Sequence, residues 1–199
     1  MSEKRGGINI VAIRGSAREG NYTAMALDIV VDELEKDEHV ATWVVDPAEM
    51  GLPLPGTGGN EATEELQKLV EGATAVILST PEYHGSYSSV IKLTIEHLGF
   101  PSALGGKPIA LLGVAAGQIG AIKALEHLRS VASHIGAIVL PGPVSIAGVQ
   151  GAFDEDGTCK DPAVEKRLRE LATHLLDYIH ENICPRIALE AMVRDEAAG

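Results

Sequence analysis

The chain has 199 residues, of which 45% are hydrophobic, and its 16 Lys and Arg against 28 Asp and Glu give a formal net charge of −12. This acidic balance disfavours binding to nucleic acid or to an anionic membrane surface, because both attract clustered Lys and Arg. The longest apolar runs, such as 110–116, are too short to cross a bilayer and the opening segment MSEKRGG has no apolar signal, so we expect a soluble cytoplasmic protein.

The first half of the chain predicts two strands and two helices. β-branched runs indicate buried strands, and apolar residues spaced by three and four indicate the inner face of a helix. In order, these elements are strand 8–14, a helix with Ala24, Leu27, Val31 and Leu34 on its apolar face, strand 40–46, and a helix from an N-cap at Asn60 to about Gly72. The Gly- and Pro-rich segment 47–60 between the last two is predicted to be an irregular loop.

The second half continues the same alternation. Its first strand, 74–80, is nearly all apolar, as expected for a parallel strand covered on both faces. The further elements are helix 88–98, strand 107–115, helix 119–135, strand 137–144 and helix 162–181. Five strand–helix units predict an α/β protein with a doubly wound sheet of five parallel strands flanked by helices, in a single domain.

Ligands of such sheets bind beyond the carboxyl ends of the strands, where the strand order reverses. The segment STPEYHGSYSS (79–89) leaves the third strand there, with Pro81 to end the strand and Gly85 to allow close approach of the backbone. The first strand ends in RGSAREGNYT (14–23), a small polar loop that runs into a helix N-terminus. Free N–H groups and the helix dipole at that point favour an anion such as a phosphate.

Simpler interpretations of these loops stay open. The first loop is also compatible with a capped turn whose Arg18 is solvated, and the glycines of GVAAGQIGA (113–121) with close packing at a helix start. The common nucleotide motifs fit poorly, since Lys107 is followed by Pro108 and position 17 of the first loop is Ala rather than the second glycine of G-x-G-x-x-G. Three such loops at one edge of a sheet favour a ligand site.

Two of these segments resemble a known family. GSAREGNYT is similar to the G-S-x-R-x-x-S phosphate loop, and TPEYHGSYSSVIKLTIEHLG (80–99) to the P-E-Y-[NH]-G-S signature, of the NADPH-dependent FMN reductases with a flavodoxin-like fold. The resemblance in element order covers about residues 8–180. Asn21 departs from the first motif, which usually has Ser at that position.

The resemblance implies a complete cofactor site. It places Ser16, Arg18, Asn21 and Thr23 around the FMN phosphate, and Pro81, Glu82, Tyr83, His84, Gly85 and Ser86 along the isoalloxazine ring, with Gly117 and the loop around it approaching the ring from the other side. Consecutive N–H groups after the third strand would donate to the acceptor edge of the ring, and Tyr83 would contact it. We expect FMN rather than FAD, because the first loop offers a terminal phosphate site while no Rossmann fingerprint is present for an adenylate half.

No catalytic or metal-binding side chain is expected. His84 could be a general acid or a metal ligand, but it has no second His or Cys at ligand spacing, which favours a loop residue that contacts the flavin. Cys159 and Cys184 fit no C-x-x-C pattern and predict inert thiols. Hydride chemistry belongs to the cofactor, so the absence of a triad or acid–base pair is consistent with a reductase.

The resemblance implies an enzyme with two half-reactions. NADPH or NADH reduces the flavin, and a small acceptor, such as free flavin, a quinone, an azo or nitro compound or a metal oxyanion, takes the electrons. One alternative is a non-enzymatic electron carrier of the flavodoxin type, which usually has a T-x-x-T-G-x-T loop and aromatic residues around the flavin. Another is a flavin-free binding domain that keeps the fold.

The end of the chain predicts self-association. We assign residues 1–184 to the flavodoxin-like FMN-binding reductase domain and 185–199 to a C-terminal tail, because Pro185 should end the last helix while PRIALEAMV continues apolar. Together with helix 88–98, this surplus apolar surface predicts a homodimer or homotetramer whose interface borders the flavin. The alternative is a tail that folds back on its own subunit or frays.

Overall fold

The computed structural model describes residues 7–198 and shows a sheet of six parallel strands flanked by helices. The strands are β1 Ile8–Arg14, β2 Val40–Val45, β3 Ala75–Pro81, β4 Pro108–Val114, β5 Ile138–Val139 and β6 Val144–Ile146. The α-helices are α1 Tyr22–Leu34, α2 Glu61–Glu71, α3 Ser89–Glu96, α4 Ile122–His134, α5 Pro162–Tyr178 and α6 Cys184–Ala198. A 3₁₀ turn at Val149–Gly151 and a π-helix at Ile179–Ile183 complete the helical segments.

The strand order is β2-β1-β3-β4-β5, which is the flavodoxin-like order, and β6 also pairs with β4. β1 lies between β2 and β3, with Ile10 opposite both Thr42 and Ala75. The predicted flavodoxin-like doubly wound sheet is confirmed. The order reverses between β1 and β3, so the loops that follow these two strands leave the sheet side by side.

Two hydrophobic cores cover the two faces of the sheet. Successive residues of a strand point to opposite faces, and in β1 Ile10 and Ala12 pack with α1 and α5, while Val11 and Ile13 pack with α2, α3 and α4. All seven residues of β3 are buried, as are all seven of β4. This two-sided burial explains why the central strands are nearly continuous apolar runs.

The fifth predicted strand, 137–144, is wrong as a single element. The structure has two short strands, β5 and β6, which pair with the two ends of β4. Pro141 and Pro143 lie between them, and proline has no N–H to donate to a strand partner. The chain therefore leaves the sheet at Leu140 and returns at Val144.

The last helical segment also differs from the prediction. Pro185 does not end it: the chain continues from α5 through the π-helix into α6, and Pro185 is the second residue of α6. A π-helical turn interrupts the regular hydrogen-bond ladder just before the proline, which accommodates the missing N–H. The division into residues 1–184 and a tail stays a prediction.

Within residues 7–198, no helix combines the length and the apolar character that a membrane crossing requires.

Candidate functional site

A cavity of about 390 Å³ lies at the carboxyl edge of the sheet, at the reversal of strand order. Its walls come from the loops after β1, β3, β4 and β6. The lining residues are Ser16, Arg18, Glu19, Gly20, Asn21, Tyr22, Thr23, Pro81, Glu82, Tyr83, Val114, Ala115, Ala116, Val149 and Gln150. Seven of the eleven residues assigned from the sequence are among them, and the two quoted loops meet as expected.

The loop 15–21, here called the first loop, and the first two residues of α1 present unused backbone donors to this cavity. The N–H groups of residues 19–23 donate to no acceptor among residues 7–198. They lie at the N-terminus of α1, where the helix dipole places partial positive charge. The hydroxyl-bearing Ser16 and Thr23 are each only 2% exposed beside them. Such an arrangement is a binding site for an anionic oxygen group.

The side chain of Asn21 forms hydrogen bonds with the backbone of its own loop and of α1. Its Oδ1 accepts from the N–H of Ala24 at 2.8 Å, and its Nδ2 donates to the carbonyl of Arg18 at 2.6 Å. The side chain therefore caps α1 and closes the loop. Asn21 lines the cavity, but both ends of its amide already have partners.

Arg18 spans the cavity between the two loops. It is exposed, and its guanidinium carbon lies 4.7 Å from the centroid of the Tyr83 ring. This is a cation–π distance. The contact joins the first loop to the segment that follows β3, and the guanidinium N–H groups donate to no acceptor in the part of the chain that the structure describes.

Residues 82–86, here called the hairpin, form a tight two-residue turn. Tyr83 and Ser86 exchange both backbone hydrogen bonds at 3.0 Å, and the two residues between them, His84 and Gly85, have φ of 51° and 72°. Positive φ at both central positions is typical of a type I′ turn. The N–H of Glu82 donates to Val114. Of the run of free donors expected here, only those of His84 and Gly85 have no acceptor in the described part of the chain.

Glu82 holds the hairpin to a helix. Its Oε2 accepts from the N–H of Ala124 at 3.0 Å, and its own N–H donates to the carbonyl of Val114 at 2.9 Å. Ala124 is the third residue of α4, whose N-cap residue, Ala121, has no side-chain oxygen. Glu82 therefore supplies from 42 residues away the cap that the helix lacks.

Ser88 connects the root of the first loop to the segment after the hairpin. Its Oγ donates to the carbonyl of Gly15 at 2.5 Å and accepts from the N–H of Ile91 at 3.2 Å, so it also caps α3. Its N–H donates to Thr80 Oγ1 at 3.0 Å. The first loop and the hairpin segment thus share one buried anchor, Ser88.

Burial raises the pKa of the neighbouring Tyr87 phenol, which stays protonated at neutral pH.

Four predicted residues lie outside the cavity lining: His84, Gly85, Ser86 and Gly117. Ser86 Oγ lies 3.2 Å from Nδ1 of His127 on α4. Gly117 is exposed, and its carbonyl accepts from the N–H groups of Gly120 and Gly148, both at 3.2 Å. His84 to Ser86 nevertheless adjoin the lining residue Tyr83 directly, while Gly117 is one residue beyond Ala116.

Two of the three glycines in the loop 113–121 are needed for close packing. A Cβ on Gly113 would lie 2.7 Å from that of Ala121, and one on Gly120 would lie 2.5 Å from Ser145 Oγ. A Cβ on Gly117 would meet nothing within 4 Å. The simpler interpretation of this loop therefore holds for Gly113 and Gly120.

Sequence reasoning missed several lining residues. Ala115 and Ala116 lie in the loop around Gly117, which is expected to approach the ring, although the sequence did not single out either alanine. Tyr22 was overlooked although it opens α1; its ring packs on Phe153, with centroids 6.2 Å apart. Val149 and Gln150 belong to the 3₁₀ turn after β6, in the segment between the predicted strand 137–144 and the predicted helix 162–181, to which the sequence assigned no element.

The lining fits FMN. The free N–H groups, Arg18 and the buried hydroxyls suit a phosphate, and the apolar wall with the Tyr83 ring suits an aromatic ring system. Trp43, which a flavodoxin-type aromatic sandwich could have used, packs against the core under α2, α3 and α4 instead. Within residues 7–198, no group of three or more His, Cys, Asp or Glu side chains is arranged to hold a metal.

Comparison with known proteins agrees with this fit. Residues 8–151 match the family model of NADPH-dependent FMN reductase. An NAD(P)H-dependent FMN reductase of Pseudomonas aeruginosa is 29% identical over 174 residues, which cover 82% of this chain and 90% of the relative. An NADPH azoreductase of a Bacillus species is 29% identical over 175 residues, covering 86% and 94%.

A solved structure supports the fold. The flavoenzyme FerB, an NAD(P)H:(acceptor) oxidoreductase from Paracoccus denitrificans, superposes with a TM-score of 0.75 at 24% identity. The alignment covers 87% of this chain and 98% of FerB.

Proposed function

The chain belongs to the NADPH-dependent FMN reductase family, and we propose that it passes electrons from NAD(P)H through FMN, held in the cavity at the carboxyl edge, to a small acceptor. The observation that carries this proposal is the row of unused N–H groups at residues 19–23, beside a cavity whose other wall is apolar and aromatic. A phosphate and a flat ring in one ligand satisfy both features.

Each loop has a separate task in this proposal. The first loop binds the phosphate through its backbone and Arg18, while Ser16 and Thr23 add hydroxyl donors. The hairpin and the segment Val114–Ala116 shape the space for the ring. When bound, FMN supplies the hydride chemistry itself, taking hydride from the nicotinamide and giving electrons to the acceptor.

The protein contributes orientation and electrostatics rather than a catalytic acid. His84 is exposed at the tip of the hairpin, and the backbone N–H groups of His84 and Gly85 are the two hairpin donors without an acceptor among residues 7–198. We assign His84 to contact with the flavin or the acceptor. The acceptor is a small molecule, and the likeness to an azoreductase makes an azo compound the first to test, followed by quinones and free flavin.

The test begins with the purified protein and an absorbance spectrum. The expected result is a flavin spectrum, with FMN as the main species after acid release and chromatography. Steady-state oxidation of NADPH, compared with NADH, should then proceed with an azo dye or a quinone as acceptor. A flavin-containing protein that oxidises neither nucleotide would instead be an electron carrier, and a protein that takes up no FMN would contradict the proposed site.

We also propose a homodimer or homotetramer, and the structure separates the two surfaces that the sequence suggested. The tail helix α6 exposes Ile187, Leu189, Met192 and Val193 by 53–63%. Ile187 lies beside Ala73 and Pro108, at the amino ends of β3 and β4, roughly 23 Å along the strands from the cavity. An interface formed by the tail alone would therefore not border the flavin.

The end of α3 is the other candidate surface. Phe100 is fully exposed just after α3, and Leu54 is 72% exposed in the loop that His97 holds through a 2.7 Å contact between its Nε2 and the carbonyl of Pro53.

Light scattering of the full chain and of a chain truncated after Cys184 separates the two surfaces. A monomeric truncated chain would assign the interface to α6, and an intact assembly would assign it to the α3 side. A monomeric full chain would contradict both. Cytoplasmic localisation stays a prediction.

A further inference from the structure

The side chain of Glu82 caps the N-terminus of α4, and the same residue lines the cavity. The carboxylate accepts from the N–H of Ala124 at 3.0 Å, and no other side chain among residues 7–198 caps that donor, since the N-cap of α4 is Ala121. Of the two carboxylate oxygens, only Oε2 has a partner among residues 7–198. A negative charge is thus fixed at the cavity wall by a helix N-terminus, where it is favourable.

The hairpin rests on the same two turns of α4. A Cβ on Gly85 would lie 3.4 Å from Cδ of Lys123, which shows that the lysine stem packs against the turn. Ser86 Oγ lies 3.2 Å from His127 Nδ1. Glu82 ties the root of the hairpin to α4, and these two contacts tie its tip. The position of the hairpin therefore depends on the position of α4, and the bond from Ala124 to Glu82 links them.

We infer that Glu82 is the positioning residue of the cavity: its hydrogen bond to α4 sets the place of the hairpin, and its fixed charge biases bound flavin towards the oxidised state. The second part rests on the proposed function, because it requires FMN in this cavity. The first part does not. A reduced flavin carries more negative charge than an oxidised one, so a neighbouring carboxylate opposes reduction.

Two variants separate the hydrogen bond from the charge. Glu82→Gln keeps an oxygen that can accept from Ala124 and removes the charge, whereas Glu82→Ala removes both. Glu126→Gln is the matched control, since Glu126 is an exposed acid on the same helix and lies outside the cavity.

The first measurement is amide hydrogen exchange of the flavin-free protein. In Glu82→Ala, the segments covering residues 82–90 and 121–127 should exchange at least tenfold faster than in the wild type, and in Glu82→Gln they should keep most of their protection. Unchanged exchange in Glu82→Ala would overturn the positioning role whether or not the protein binds FMN. If Glu82→Ala does not fold, the Glu82→Gln variant decides instead, because it keeps an oxygen that can accept from Ala124. Loss of protection in the same two segments of Glu82→Gln, at unchanged global stability, would then overturn the positioning role.

The second measurement is the midpoint potential of bound FMN, together with its dissociation constant in the oxidised state. Glu82→Gln should bind oxidised FMN within about threefold of the wild type, and the affinity for reduced relative to oxidised flavin should rise about tenfold, a shift of about +30 mV for a two-electron couple. Glu126→Gln should leave both unchanged. A Glu82→Gln potential equal to that of the wild type would overturn the charge role while leaving the proposed function intact. A wild-type protein that binds no FMN would defeat the proposed function and the charge role together.

Discussion

The first loop and the hairpin, which meet at the cavity, differ in how their backbone N–H groups are hydrogen-bonded. The first loop and the start of α1 leave the N–H groups of residues 19–23 without acceptors among residues 7–198, whereas the hairpin pairs Tyr83 with Ser86 and Glu82 with Val114. Both follow parallel strands at the same edge of the sheet. Only one of them therefore offers a series of donors to a ligand.

This difference indicates that the loops contribute in different ways. Free N–H groups at a helix N-terminus bind anions directly, so the first loop should determine affinity for a phosphate. A closed type I′ turn has few donors to offer, and its value lies in a fixed shape. Changes in the first loop should alter affinity for the phosphate, whereas changes in the hairpin should alter FMN affinity where they distort the turn and otherwise the rate.

Gly15→Ala should have the largest effect because it disturbs both loops at their shared anchor. A Cβ at Gly15 would lie 2.1 Å from the carbonyl oxygen of Ser79, so backbone must move. We expect a loss of about 3 kcal/mol in the free energy of unfolding, measured by urea denaturation, and no measurable FMN binding. Gly7→Ala, whose Cβ would meet nothing within 4 Å, is the control. A stable Gly15→Ala protein with normal FMN affinity would show that the anchor is not rigid.

Gly85→Val should affect the hairpin alone. Gly85 has φ of 72°, a conformation that is strained for a β-branched residue and costs about 2 kcal/mol. We expect FMN affinity to fall at least about tenfold by fluorescence titration, with the first loop unaffected. Gly85→Asn is the matched control, since Asn tolerates this φ. Equal affinities for the Val and Asn variants would mean that the turn conformation is not required.

Most of the fold could be predicted from the sequence because its signals are local. The buried strand runs, the presence of the helices and the N-cap at Asn60, whose Oδ1 accepts from Thr63 at 3.0 Å, agree with the structure. The predicted inner face of α1 is right at Leu27 and Leu34 but not at its other two positions. Ala26 and Val30 are buried there, whereas Ala24 and Val31 are only half-buried. The split of strand 137–144 has a local cause that is visible in the sequence, the two prolines Pro141 and Pro143. The continuation of the helix past Pro185 had none, since it depends on a π-helical turn that no spacing rule indicates.

The site was less predictable, for a physical reason. The loop positions follow from strand order, but the partners of individual side chains depend on tertiary contacts. Glu82 reaches Ala124 across 42 residues, and Arg18 lies over Tyr83 from a different loop. Asn21 was expected to contact the phosphate, yet its amide closes its own loop.

Arg18→Ala tests the first loop as an anion site. Loss of a charge-assisted hydrogen bond to the phosphate should weaken FMN binding by roughly 1–3 kcal/mol, and loss of the contact with Tyr83 should add to this. The measurement is calorimetric titration of the flavin-free protein with FMN. Riboflavin, which lacks the phosphate, is the control ligand, and its affinity should change much less. Equal losses for FMN and riboflavin would remove Arg18 from the phosphate site.

Asn21→Ala should have a smaller effect, on the fold of the first loop rather than on the ligand. Removing an N-cap side chain costs about 1 kcal/mol in the free energy of unfolding. Asn21→Ser keeps a capping oxygen and should restore most of this stability in thermal denaturation. FMN affinity of the Ser variant should stay near that of the wild type. A large loss of affinity in a Ser variant of full stability would instead show that the Asn21 amide contacts the phosphate.

His84→Ala should have the smallest effect, and it decides between the two roles of this residue. His84 is exposed at a positive φ of 51° and does not line the cavity, so its loss should cost less than about 1 kcal/mol in stability and leave FMN bound. A general acid contributes about 10²- to 10⁴-fold to a rate, whereas a contacting residue contributes far less. We therefore expect the turnover number for NADPH oxidation to fall by less than about tenfold, measured by steady-state kinetics with one acceptor. His84→Asn, which favours the same turn, separates loss of the imidazole from loss of the turn conformation. If both variants hold a full complement of FMN and both lose more than a hundredfold in turnover, the imidazole acts as a catalytic acid and the hairpin does more than hold a shape.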